Sequence, residues 1–288
     1  MRQSLVAGVA AVCGLVLIGT AEAKAIAIRP SSIPERVAQS DVVVVGKVGK
    51  VEPKNVSAAP FPGGQKVEYQ VVALEVKDGL LGARGKKEIR LGFIPPQQGG
   101  PGGGPGPIRR PGGFRQLVFT QGQEGLFFLT KHPTESFCVA PAYFSFVDKN
   151  AGDFGKQVEQ VKKCTKLLSD PMASLKSKSA DDRAQTAAML VLRYRAFKPG
   201  KMKEEEIGAE ESKLILNALA EGDWSKGFSP TEITPQMAFG QLGLTPNDGW
   251  KPGPFKNYQQ EFPEAAKKWL KENAGKYRIK KRVPDTKG

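Results

Sequence analysis

Side chains that carry out most enzyme chemistry are sparse in this sequence. It holds one histidine, His132, beside Pro133 in a turn between strand-like runs. Ser-His-Asp and Cys-His sites need a histidine base held in position, and zinc sites usually draw on several His or Cys ligands. A lone histidine against a turn proline is expected to be exposed and inert. Gly-x-Ser-x-Gly, His-Glu-x-x-His, Ser-x-x-Lys and Cys-x-x-Cys do not occur. Paired carboxylates would suit glycoside hydrolysis if two faced each other about 5–10 Å apart. The available clusters are Asp181-Asp182, Glu204-Glu205-Glu206 and Glu210-Glu211. They fall at helix starts or in a charged loop, where the helix dipole and solubility explain them. The sequence predicts no catalytic, cofactor-binding or metal-binding residue.

Two further groups of residues bear on binding. Cys138 lies in an aromatic strand-like run, and Cys164 lies on a helical face with Val158, Val161 and Leu168. A Cys138–Cys164 disulfide would pin that helix to the preceding strand, worth about 3 kcal/mol in the chain-entropy view. The alternative is two separate buried thiols. Net charge is +14, and residues 267–288 hold nine basic residues against Glu272 and Asp285. Lys276, Arg278, Lys280, Lys281 and Arg282 are therefore candidate contacts for an anionic polymer, or else a solvated tail that keeps the chain soluble. The glycine-rich stretch 95–113 lacks the Gly-Lys-Ser/Thr and following helix of a phosphate loop, and its prolines remove N–H donors. It reads as a disordered hairpin excursion.

The start of the chain sets the expected compartment. Arg2, an apolar or glycine run from Leu5 to Ile18, and Ala21-Glu22-Ala23 read as a cleavable signal peptide over residues 1–23. The run is 14 residues long, short of the roughly 20 that span a bilayer. The mature chain is then expected to begin near Lys24 and to act in the periplasm, cell envelope or extracellular space. An even pair of cysteines suits that oxidising setting.

The elements that must position these residues change character midway. Ala25–Arg29 is a short apolar stretch. Ser32 and Pro34 open one or two helical turns. Val42–Val48 is a β-branched run suited to a buried strand. Alternation continues through Val67–Val76 and Ile89–Phe93, then Leu117–Phe119, Leu126–Leu129 and Phe137–Val147. About six strands with Gly-rich turns make a sandwich or small barrel over 24–150. Tyr69, Phe93, Phe119 and Tyr143 are assigned to its core.

From residue 151 to 288 the spacing turns helical. Helices are expected over 157–169, 171–175 and 179–197, the last apolar on most sides and therefore central. Others are expected from Ala209 to Ala220, from Pro235 to Leu242, and from Pro263 to Asn273. Trp224, Trp250 and Trp269 all lie here and are read as core rather than as sugar-stacking platforms.

The run from Glu35 to Val48, then Tyr69–Val76, Gly79-Leu80-Leu81-Gly82 and Gly122–Leu129, resembles the netrin/tissue-inhibitor-of-metalloproteinase class over roughly 25–147. The resemblance implies an OB-like β-barrel in a secreted protein. Inhibitors of that class use an N-terminal cysteine to chelate the protease zinc. No cysteine lies between Ala23 and Cys138, so that mechanism does not carry over. Residues from 155 onward resemble the helical tail of exported bacterial proteins of no known activity.

The expected fold class is α+β, an N-terminal OB-like antiparallel barrel or small sandwich followed by a C-terminal helical region. The expected function is non-catalytic binding or structural support outside the cytoplasm, with a protein partner. A polyanion binder, taking acidic polysaccharide or nucleic acid, is the alternative. A carboxylate-only hydrolase is a second.

Overall fold

The computed structural model describes residues 31–95, 117–141, 145–197, 200–227, 229 and 232–285. The signal-peptide reading, Ala25–Arg29, nearly all of the 95–113 stretch and Tyr143 lie outside the described residues.

Helix α1 (Ile33–Gln39) begins where the sequence places it. Ser32 Oγ accepts the Glu35 N–H, and the Glu35 carboxylate accepts the Ser32 N–H, a capping box with Pro34 in the first turn. The strands that follow are β1 (Val42–Val51), β2 (Val56–Ala58), β3 (Val67–Leu81), β4 (Glu88–Phe93), β5 (Glu124–Lys131), β6 (Cys138–Val139) and β7 (Phe146–Asp148). Two readings change here. Leu117–Phe119 is not a strand, although Phe119 is buried. Phe137–Val147 is split into β6 and β7, with Pro141 between them.

The seven strands form one sheet in the order β1-β3-β4-β6-β5-β7, with β2 alongside β3. Strand β1 pairs antiparallel on both sides, so Val44 faces Gly79 of β3 and Phe127 of β5. The β4–β6 link is parallel and only two residues long. At the end of β3 the chain turns through Gly82, whose φ of +64° and approach to the Asp41 carbonyl leave no room for a side chain.

Period-two alternation sends β1 side chains into two cores. Val42, Val44 and Val48 join Leu74, Leu91, Phe93, Phe119, Phe127 and Leu129 on one face. Val43 and Phe128 point the other way, into a core built mostly by helices. A third, smaller cluster of Ala58, Tyr69, Val71 and Phe137 covers the outer face of β3. There the Phe137 ring lies directly on Gly92.

Helices α2 (Phe154–Ser169), α3 (Pro171–Leu175) and α4 (Ala180–Arg195) come next, then strand β8 (Met202–Glu206), α5 (Ala209–Glu221), α6 (Pro235–Gln241), α7 (Tyr258–Asn273) and strand β9 (Lys280–Pro284). The stretch Ala187–Leu192 is buried on every side, as its uniform apolarity predicts. Ile33, Val37 and Ala38 of α1 share this core with Leu190, Leu216 and Leu219, and Val43, Leu126 and Phe128 bring one face of the sheet into it. Each large aliphatic buried here is worth about 1.5–3 kcal/mol.

Helix α7 starts a turn and a half earlier than the proline suggests. Pro263 sits inside it, giving up the hydrogen bond to the residue 259 carbonyl and crowding that carbonyl with its ring. Glu261 accepts the N–H groups of Lys256 and Asn257, and the Tyr258 and Phe262 rings stack at 4.8 Å, which together hold the added turn. Trp224 and Trp269 are core residues, their indole N–H groups donating to the carbonyls of Leu219 and Asp248. Trp250 is half-buried against Phe239.

Candidate functional site

The basic tail is part of a two-stranded ribbon. Its strand β9 pairs antiparallel with β8, setting Lys280 opposite Glu206, Lys281 opposite Glu205 and Arg282 opposite Glu204. The glutamates read as a charged loop are thus the cross-strand partners of the basic residues read as anion contacts, and opposite charges facing across a ladder favour the pairing. Lys280 Nζ also lies 4.0 Å from Asp248, and Lys281 sits over the Tyr194 ring at 5.7 Å. Arg282 donates to the Arg195 carbonyl. Arg278 donates to the carbonyls of Gly275 and Tyr277, and Lys276 is exposed in the turn after α7.

Arg195 anchors the ribbon to the helices. It is 7% exposed, and its guanidinium donates to Glu204 Oε1 (2.6 Å), the Lys280 carbonyl (3.2 Å) and the Gln241 carbonyl (3.1 Å). The sequence carried a signal for it. Arg195 falls three, four and seven residues after Leu192, Val191 and Ala188, which puts it on the buried stripe of α4. Beside it, the Tyr194 hydroxyl donates to the Glu211 carboxylate, and burial followed by that carboxylate pushes the phenol pKa up.

A groove of about 280 Å³ opens where α1, α2, α4 and the α5–α6 connection meet. Pro34 and Ile233 give it apolar surface, and Lys163, Asp181, Asp223 and Lys226 line it with both signs of charge. Lys226 Nζ is 2.7 Å from Glu232, which raises its pKa. Asp223 accepts the N–H (2.9 Å) and the O–H (2.6 Å) of Ser225, and these bonds hold its carboxyl below the usual value. Lys163 lies 3.5 Å from Asp182. Asp223 and Lys226 are thus fixed charges at neutral pH, suited to complementing a charged ligand rather than to relaying protons. Asp181-Asp182 and Glu210-Glu211 occupy the first turns of α4 and α5, as predicted.

No family model matches the chain, and no curated protein matches it. The site must be read from its own geometry. Among the described residues, no group of three or more His, Cys, Asp or Glu gathers around a point where a metal ion could sit.

The cysteines differ from the bridged arrangement. Cys138 and Cys164 are free and buried, in different cores: Cys138 lies on β6 against the sheet interior, and Cys164 faces the helical interior. The side chain of Gln185 donates to Cys164 Sγ at 3.5 Å. Burial pushes the Cys164 thiol up to about 12 and raises Cys138 as well, so neither is a ready thiolate. Cys164 lies on the helical face that its spacing predicts, in a different core from Cys138.

His132 is likewise not an exposed turn residue. It is 5% exposed, packed against Tyr69 at 5.3 Å and Phe137 at 4.8 Å between ring centroids. Pro133 gives no sign of this burial because Tyr69, one of the two rings packed on the imidazole, comes from a strand some 60 residues earlier.

Proposed function

We propose that this chain is an exported, non-catalytic binding or structural protein of the cell envelope or extracellular space, built on an OB-like barrel capped by helices. The observation that carries the reading is the shared core between Val43, Leu126 and Phe128 of the sheet and Val37, Leu190 and Leu216 of the helices. OB-like modules commonly hold extended ligands across a strand face. Here the outer face of β1 and β5 is filled by the chain's own α1 and α4, so partner contact falls to the helical side and its mixed-charge groove. The closed circuit of pairings β1-β3-β4-β6-β5-β1 supports the barrel reading. Among the described residues no helix is long and apolar enough to cross a membrane.

The full chain expressed in a bacterium tests this. The reading expects product in the extracytoplasmic fraction with an intact mass beginning at Lys24. Cytoplasmic product of uncut mass would overturn it. The net charge of +14 favours polyanion binding as a second reading. Retention on a heparin column that collapses with modest salt would support that second reading. Flow-through at low salt would leave the charge-matched β8–β9 ribbon as a structural device.

A further inference from the structure

We infer that residues 132–137 form an acid-sensitive latch over the outer face of β3: protonating His132 opens it and uncovers Tyr69 while the two larger cores stay closed. Only one ring nitrogen of His132 is able to hold the proton. His132 Nδ1 accepts the backbone N–H groups of Thr134 (3.3 Å) and Glu135 (3.1 Å), with Thr134 Oγ1 at 3.4 Å. Its lone pair is therefore in use, and the neutral ring must carry its proton on Nε2. Nε2 is buried and has no hydrogen-bond partner among the described residues.

A second proton has one place to go, Nδ1, where two N–H donors already point. The imidazolium would set donor against donor at Nδ1 and leave an unpaired N–H at Nε2, in a site with almost no water contact. The folded turn admits only the neutral ring. Protonation must break the bonds from Thr134 and Glu135, and with them the bond from the His132 N–H to the Phe137 carbonyl at 3.0 Å that closes the turn.

The surrounding charges do not rescue the cation. Among the described residues, Glu135, in the turn itself, is the acid that pulls toward protonation, and burial outweighs it, holding the imidazole below its usual value. From β4, Arg90 reaches into the turn through Ser136 Oγ at 2.9 Å and is bidentate to Glu52 at 2.7 and 2.8 Å. From β3, Tyr69 is kept neutral by burial. From β6, Cys138 is likewise a neutral thiol. Just before the turn, Lys131 adds positive charge while its N–H is bonded to Asp41.

The latch is separable because its cluster is. Ala58, Tyr69, Val71 and Phe137 form their own small core, apart from the sheet interior and the helical interior. Units of this size open with less free energy than a whole domain.

Ring and amide NMR on the full chain across pH 4.5–8 tests the latch. His132 should show the Nε2–H tautomer and titrate below the value of a free histidine. As pH falls below about 6.5, opening measured as lost protection at Thr134–Phe137 should rise about tenfold per pH unit, because the open form binds the extra proton. Val44, Phe127, Leu190 and Leu216 should keep their protection. In His132→Asn, whose Oδ1 accepts the same two N–H groups but does not titrate, opening should become flat with pH. A native His132 titrating at or above the free value with the turn closed would overturn the inference. So would equal opening at pH 5 and 7, or an acid dependence that persists in the Asn variant. If that variant does not fold, the native titration decides the matter alone.

Discussion

Arg195 Nη1 lies 2.6 Å from Glu204 Oε1, joining the end of the central helix α4 to the acidic strand β8. The guanidinium is nearly buried while the carboxylate is 44% exposed. The two carbonyl acceptors, on Gln241 and Lys280, complete a three-way tie. The planar fork reaches these acceptors from two separate nitrogens, Nε and Nη1, whereas an ammonium would have to reach them all from one.

Replacing Arg195 with Met should therefore cost about 2–4 kcal/mol, from three lost hydrogen bonds and acceptors left unmatched. Arg195→Lys should cost less but still weaken the ribbon. Urea unfolding measures both, and a loss below about 0.5 kcal/mol for the Met variant would show that the tie is ornamental.

Gly92 is where the Phe137 ring rests. A Cβ there would sit 2.5 Å from ring carbons. Gly92→Ala should destabilise by about 1–3 kcal/mol as the ring is pushed off the sheet. Combining it with Phe137→Leu should recover part of that loss, and a double-mutant cycle would register the coupling. Strict additivity would contradict the contact.

Both thiols are free and buried. A chain beginning at Lys24, and so lacking Cys13, should take up almost no thiol reagent when native at pH 8 and two equivalents, at Cys138 and Cys164, once denatured without reductant. No uptake in denaturant would restore the disulfide that the sequence invites.

Glu124 accepts from Lys149 at 2.8 Å and from Lys77 at 2.9 Å, and these bonds bring its pKa down to about 2. A carboxyl near 4.3 when unfolded and lower when folded stabilises the fold above the unfolded value and loses that contribution as pH falls toward about 2. Carboxyl carbon NMR should show Glu124 ionised at pH 3. Lys77→Met and Lys149→Met should each move its midpoint upward, and raised salt should narrow the difference.

Local signals in the sequence were sufficient for most helices. Ser32 with Pro34, Asp170 with Pro171, Ser179 with Asp182, and Thr234 with Pro235 mark helix starts through bonds made within four residues. What the sequence obscured depends on distant partners. Glu204–Glu206 looks like a loop because its strand state comes from pairing with Lys280–Arg282, over 70 residues later. His132 looks exposed because Tyr69 buries it. The groove draws Lys163, Asp181 and Lys226 from three separate segments, and no spacing rule brings those together.

The packing of α1 against α4 also bears on the order of events as the protein folds. Ile33, Val37 and Ala38 come first among the described residues, yet they find their apolar partners in Leu190 and its neighbours. The Ser40 carbonyl, just past α1, accepts from Arg193. Until some 150 further residues have been made, this helix has only β1, β5 and α2 to pack on, and its α4 side stays uncovered. Such long-range closure predicts slow refolding. It also makes α1 one of the last elements to become fully protected.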